Sequence, residues 1–155
     1  MYKNRNKECV NKILEKFLGN WKILKNITNK SDVRCIYKGS GGASFKILQN
    51  TPNTMLYEEK LLLKNDLIKS SNIIAYQKYL YKYNQQNTII SKYLSDNSFL
   101  CNIFMVNNRA NGKYICNKDT YSFKYDFSLN YLCITYNIEG PSKNFLIHNH
   151  YLKLS

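Results

Sequence analysis

Four groups of side chains in this sequence have types and spacings that could carry chemistry. Cys116, Asp119 and Tyr121 fall within one short stretch, and Lys143 stands near the start of the last predicted strand. If Asp119 and Lys143 faced each other away from water, the pair would need further hydrogen bonds and each would perturb the other's pKa. Lys143 could then anchor a ligand carboxylate or phosphate, with Tyr121 donating a hydrogen bond. The plainer alternative makes Asp119 a turn residue capping the amides of NKDT and leaves Lys143 as a surface lysine after a Gly-Pro turn.

Glu58 and Glu59 are consecutive. On a strand they point to opposite faces, so at most one reaches an interior, and the two cannot form a carboxylate pair for acid–base work. A buried Glu58 with Gln77 on a neighbouring strand would make an interior polar cluster; a single exposed acid is the plainer alternative. His148 and His150 share a face and could begin a metal site, but spacing marks no third ligand, so no metal is expected. Neither histidine has a serine or cysteine partner in a nucleophile motif, so no triad is expected. The fourth group is a tyrosine row. Tyr79, Tyr81 and Tyr83 alternate onto one face of a strand, and Tyr76, Lys78 and Lys82 onto the other. An outward aromatic row bordered by lysines would stack single-stranded nucleic acid. An inward row would line a cavity with rings and hydroxyls. Ordinary strand propensity of tyrosine also accounts for it.

Other chemistry is excluded by spacing. The cysteines Cys9, Cys35, Cys101, Cys116 and Cys133 contain no CxxC pair, and metal sites need clustered ligands. The GSGG segment (Gly39–Gly42) lacks a GK[ST] ending and does not precede a helix, so it is a hairpin or a bulged corner rather than a phosphate loop. No motif names a cofactor. The start, MYKNRNKECVNKILEKF, has no apolar secretory core. Together with an odd number of cysteines this points to free thiols in a reducing, intracellular compartment, the cytoplasm foremost. A basic amphipathic start is also compatible with organelle import.

The elements that must position these groups follow from periodicity. Val10, Ile13, Leu14, Phe17 and Leu18 recur at three- and four-residue spacings, which predicts an amphipathic helix over about residues 7–18, stopped by Gly19 in a left-handed conformation. From about residue 20 to 154 the period is two. WKILKNI, RCIYKG, ASFKIL, MLYEEKLLLK, IIAYQKYLYKYN, NTIISKYL, FLCNIFMV, KYICN, TYSFKYDF, YLCITYNIEG and NFLIHNHYLKL read as strands. Short connections rich in Asn, Ser, Asp and Gly join them, as antiparallel hairpins require. The longer link Asn65–Asn72 is the place for an additional helical turn. About nine or ten strands in hairpin order, with no crossover helix, leave a two-sheet sandwich or an up-and-down barrel. Closure removes edges that this Tyr- and Ile-rich chain would otherwise expose, so the barrel is favoured, with the helix plugging one end. The 155 residues are expected to form one domain.

Several pieces, in order, resemble one family. FLGNWKILKNI is similar to the F-x-G-x-W opening of calycin-type barrels, and GGASF to a G-x-A-x-F segment. YEEKL, from Tyr57, resembles Y-x-E-x-G-x-L without its glycine. AYQKYLYK resembles A-x-R-x-Y-x-W, with Gln77 for the arginine and Tyr81 for the tryptophan. YICNKDTY resembles H-x-C-x-x-D-x-Y, with Tyr114 for the histidine and Cys116, Asp119 and Tyr121 kept. GPSKNFLIHNHYLK resembles G-P-R-K-D-Y followed by a terminal tyrosine, Tyr151, and a basic residue; Ser142 and Asn144 replace the arginine and aspartate. The chain thus resembles the domain-of-unknown-function 6314 family over about residues 17–153. That resemblance implies an all-β, calycin/lipocalin-like antiparallel barrel with a short N-terminal helix, and a set of candidate residues rather than a reaction.

The function expected from these readings is non-catalytic binding of a small, partly apolar molecule, anionic or neutral, inside the barrel. Trp21, Tyr57, Tyr79, Tyr81 and Tyr121 would supply walls and hydroxyls, and Gln77, Asp119 and Lys143 the polar ends. It requires a cavity of a few hundred Å³. Two alternatives stand beside it. One is a small isomerase or hydrolase using Asp119, Glu58 or Tyr121, which needs at least two of them to converge. The other is a basic protein associated with RNA or DNA, or a subunit of a larger assembly. The formal charge of +13, from 23 Lys+Arg against 10 Asp+Glu, suggests a polyanion. Yet only Arg5, Arg34 and Arg109 are arginines, the residue best suited to bidentate phosphate recognition, and the lysines are spread along the chain. Coding bias toward Asn, Ile, Tyr and Lys explains the charge as well, so nucleic acid is not favoured. No apolar run is long enough for a membrane span, and oligomeric state has no signature.

Overall fold

The computed structural model describes residues 12–31, 34–51, 53–65, 67–68 and 72–155. Ten strands among these residues close into one antiparallel barrel. They are β1 (Gly19–Asn29), β2 (Arg34–Ile47), β3 (Thr54–Asn65), β4 (Asn72–Asn84), β5 (Ile89–Leu94), β6 (Phe99–Val106), β7 (Arg109–Cys116), β8 (Asp119–Ser128), β9 (Tyr131–Glu139) and β10 (Asn144–Lys153). Each pairs with its neighbour in sequence, and β1 returns to β10 from Trp21↔Lys153 to Asn29↔Phe145. This is the up-and-down order that hairpin-length connections dictate. The turns are built by asparagine. Asn117 and Lys118 both adopt positive φ, 50° and 70°, the conformation of a two-residue turn whose twist matches the flanking strands.

One expectation about elements is corrected. GSGG is neither a hairpin nor a bulge: β2 runs through it without a break, and its register with β3 stays regular from Tyr37↔Asn65 to Ile47↔Met55. The glycines answer a close approach instead. A Cβ on Gly41 would lie 2.0 Å from the Lys60 carbonyl oxygen, so only glycine lets β3 coil this tightly against β2. In the Asn65–Asn72 link, Leu67 and Ile68 are not helical; residues 66 and 69–71 lie outside the described residues.

The helix, α1, covers residues 12–15; Val10 and the rest of its expected start lie outside the described residues. Its apolar face plugs the barrel end. Leu14 and Phe17 are buried, with Ile13 and Leu18 packed against the core. The Phe17 ring meets Phe45, Tyr81, Tyr125 and Phe127 at centroid distances of 5.4, 6.2, 6.2 and 4.8 Å, so one side chain ties α1 to three strands. The Trp21 indole Nε1 donates to the Phe17 carbonyl at 2.9 Å, which fixes the junction. Gly19 stands between them at φ 132°, a backbone that side chains resist. No described helix is long and apolar enough to cross a membrane.

Removing the plug has a defined cost. Phe17→Ala empties a site with no exposure at all and is expected to destabilise by about 3–5 kcal/mol, read from the urea midpoint at an unchanged m-value. A loss below about 1 kcal/mol would mean that the plug does not stabilise the barrel.

Candidate functional site

Alternation carries polar groups inward as strictly as apolar ones. On β1, Trp21 and Ile23 are buried, and Lys25 follows in phase. On β3 the buried Tyr57 brings Glu59 inward, and on β4 Tyr81 and Tyr79 bring Gln77. Ile90 sets the phase for Lys92, Ile134 for Tyr136, and Tyr151 for Asn149. These side chains meet in an interior cavity of about 100 Å³, which Tyr114, Tyr121, Ile138 and Ile147 also line.

Two polar systems occupy it. In the first, the Lys25 ammonium lies 3.0 Å from Glu59 Oε1, with side-chain exposures of 10% and 2%. The Tyr57 hydroxyl donates to Glu59 Oε2, so its oxygen is left to accept from the Tyr151 hydroxyl at 2.8 Å. A buried carboxylate is thereby matched by one cation and one phenol, as a charge removed from water requires. Burial pushes the Tyr57 hydroxyl well above its ordinary pKa, and the neighbouring Tyr151 and Glu59 push the same way.

The second system centres on Lys92, which is 3% exposed. Its Nζ donates to the Tyr136 hydroxyl at 3.2 Å and lies 4.0 Å from the Tyr79 ring centroid. Among the described residues no carboxylate is within ion-pairing distance of it. The Tyr79 face compensates by about 2 kcal/mol for a desolvated cation. Burial lowers the Lys92 pKa, opposed by Tyr79, Cys101 and Glu59. Burial raises the Tyr136 hydroxyl to about 12, against a hydrogen bond with Tyr125. Asn149 Oδ1, in the same cavity, has no hydrogen-bond partner among the described residues. Formally, two lysines and one carboxylate share this described interior.

The expected residues divide accordingly. Tyr57, Gln77, Tyr79, Tyr81, Tyr121 and Tyr151 line the cavity, Gln77 at its exposed rim. Glu58 does not: it is exposed on the outer face opposite Lys78, and Glu59 holds the interior position. Inward Tyr57 already implied this, since residues 57 and 59 share a face. Trp21 is buried at the plugged end rather than beside the cavity. Cys116 is exposed at the end of β7. Asp119 is 1% exposed, but its carboxylate accepts from the Ser142 hydroxyl at 2.6 Å and the Ser142 amide at 3.3 Å, so it caps the β9–β10 turn. Those bonds lower its pKa. Lys143 is exposed and donates to the Tyr121 hydroxyl at 2.8 Å, outside the interior. Glu58 is therefore apart from Asp119 and Tyr121, whose described side-chain hydrogen bonds run to Ser142 and Lys143 and not to each other. His148 and His150 lie on the outer face, their rings 6.3 Å apart, and no cluster of three metal-ligating side chains occurs among the described residues. The cavity of about 100 Å³ falls short of the few hundred Å³ expected for enclosing a whole small molecule, because large tyrosines occupy so many inward positions. Sequence reading missed Lys25, Glu59, Lys92, Tyr136 and Asn149, though the phase of each strand held the signal.

The chain belongs to the family of unknown function DUF6314, whose model matches residues 17–153. No curated protein matches it in sequence. Its fold is a calycin-like barrel, similar to that of the S-type phycobiliprotein lyase CPES from Guillardia theta. The two share a TM-score of 0.65 and 9% identity, over 94% of this chain and 93% of the other. A Schistosoma mansoni fatty-acid-binding protein in complex with arachidonic acid aligns with a TM-score of 0.43 and 12% identity, over 92% and 98% of the two chains. Of the positions that carry the family resemblance, Tyr57, Gln77, Tyr79, Tyr81, Tyr114, Tyr121 and Tyr151 line the cavity.

The Lys25–Glu59 pair can be tested by a double-mutant cycle. Glu59→Leu strands the ammonium and is expected to cost about 3–5 kcal/mol, whereas Lys25→Met with Glu59→Leu recovers most of it. Urea denaturation of the four proteins reads the coupling; a double variant as unstable as Glu59→Leu would show that the two charges do not depend on each other.

Proposed function

We propose that this protein binds, without catalysis, the carboxylate group of a small organic anion inside the barrel, with Lys92 as counter-charge. The observation that carries this reading is the unmatched ammonium in a cavity. Lys25 is balanced by Glu59, so one formal positive charge is left over, and a buried charge without a partner is costly. A carboxylate beside Lys92 removes that cost, and tyrosine hydroxyls nearby supply donors to its oxygens. A polar donor on the same ligand would find Asn149 Oδ1 as acceptor.

The outer surface favours the interior over a polyanion as the place of binding. Lys22, Lys46, Lys60, Lys78, Lys113 and Lys124 are exposed on β1, β2, β3, β4, β7 and β8, so positive charge surrounds the barrel instead of marking one side. Electrostatic recognition of nucleic acid relies on a clustered basic face.

Butanoate, titrated by calorimetry, is the direct probe. It is expected to bind the native protein, and Lys92→Met is expected to weaken binding at least tenfold. The variant should be as stable as the native protein at neutral pH, or more stable, because a methionine of similar length replaces a charge that burial disfavours. Equal binding by both proteins would refute the role of Lys92.

The pH dependence has a fixed sign. The Lys92 pKa is lowered on folding, so the unfolded chain binds more protons between that value and the ordinary lysine value of about 10.4. Native stability should therefore rise with pH across that window, and Lys92→Met should lack this component. Butanoate affinity should fall as pH rises through the lowered pKa, since only the ammonium attracts the anion. Affinity independent of pH up to 10 would contradict the assignment.

A further inference from the structure

The barrel wall has one short seam. β6 and β7 pair only at Phe104↔Asn111, Met105↔Ala110 and Val106↔Arg109, whereas β7 pairs with β8 along its whole length, from Arg109 to Cys116. Beyond Phe104 the two strands share no ladder, and a concavity of about 1050 Å³ opens there. Leu100 and Cys101 border it on β6, Tyr114 and Ile115 on β7, and Phe123 of β8 lies behind, while Asn102, Asn111, Lys113 and Lys124 form its polar margin. Phe99 and Ile115, at its edge, are 58% and 72% exposed.

This groove adjoins the interior cavity. Tyr114 lines both, its ring stacked on Tyr121 at 4.7 Å and 10°. Cys101 is the register partner of Lys92 across β5 and β6, so the groove begins one strand from the ammonium. The inner cavity, about 100 Å³, equals roughly three waters at about 30 Å³ each. It has room for a carboxylate group and little more. An apolar body attached to that group must leave the cavity, and the apolar side chains nearest Lys92 on the β6 side are those of the seam.

We infer that the β6–β7 seam holds the apolar tail of a monocarboxylate whose charged end lies at Lys92, so that the ligand class is an amphipathic acid. This rests on the carboxylate reading above. Each methylene buried in the seam strengthens binding by roughly fourfold when fully desolvated, so tail length becomes the main source of affinity while Lys92 fixes orientation.

Calorimetry with butanoate and dodecanoate separates the two claims. Dodecanoate is expected to bind the native protein at least tenfold more tightly than butanoate. Phe99→Gln with Ile115→Gln, at two exposed positions, should weaken dodecanoate about tenfold and leave butanoate unchanged. Lys92→Met should weaken both. If butanoate binds through Lys92 but dodecanoate gains nothing, or if its gain ignores the Gln pair, the seam assignment is overturned and the carboxylate reading stands. If neither acid binds, both fall. A circular-dichroism spectrum and urea midpoint matching the native protein confirm that the Gln pair is folded.

Discussion

Closing ten strands into a ring forces half of every strand's side chains into one shared space, and the contents of that space govern the rest of the molecule. At the plugged end the contents are aromatic and apolar: Phe17, Phe45, Met55 and Phe127 are buried together. Toward the other end stand Lys25, Glu59, Lys92 and Asn149, all buried. Tyrosines make the transition. Tyr57 and Tyr81 pack their rings against Phe45 at 4.6 and 5.6 Å, while their hydroxyls bond to Tyr151 and to Tyr125, respectively. An amphipathic ring suits a position that is core on one side and polar site on the other. Packing and polarity are therefore divided along the axis, so the polar end need not supply the stability of the whole.

The two buried lysines differ in a way that burial alone does not reveal. Lys25 belongs to a closed network with Glu59, Tyr57 and Tyr151, which leaves little for a ligand to satisfy. Lys92 has a phenol, a ring face and empty space. Natural proteins tolerate such an unfavourable group where its removal would cost activity rather than folding. Asp119, although almost fully buried, is placed differently again: its carboxylate accepts from Ser142 in the neighbouring turn.

Much of this is legible in the sequence. The change from a three-to-four spacing to a spacing of two after Gly19 located the helix and the barrel, and asparagine-rich connections gave hairpin order. Inward Tyr79 and Tyr81 were one of the alternatives that alternation left open. Glu59 was legible too, since it stands two residues from Tyr57, yet the choice of Glu58 broke that rule. Lys25 and Lys92 were missed for another reason. Lysine is rarely buried, so composition argued for the surface even where phase with Ile23 and Ile90 argued for the interior. Cys116 and Lys143 could not be placed from sequence, because strand ends and turns leave the alternation that orders residues elsewhere. The GSGG segment misled because glycine signals both a turn and a close approach of backbones, and only the position of Lys60 decides between them.

The pairing of Trp21 with Lys153 also governs how the molecule is made. Neighbouring hairpins can form as they are synthesised, but the ring cannot shut until β10 exists. Until then β1 and β9 are open edges of a long, tyrosine-rich sheet, able to recruit strands from other chains. The last ladder joins residues at opposite ends of the barrel sequence, so its loop-closure entropy is the largest in the fold and its formation among the slowest steps. By seating Phe17 among β2, β4 and β8, α1 ties together around one side chain three strands that no ladder joins to one another.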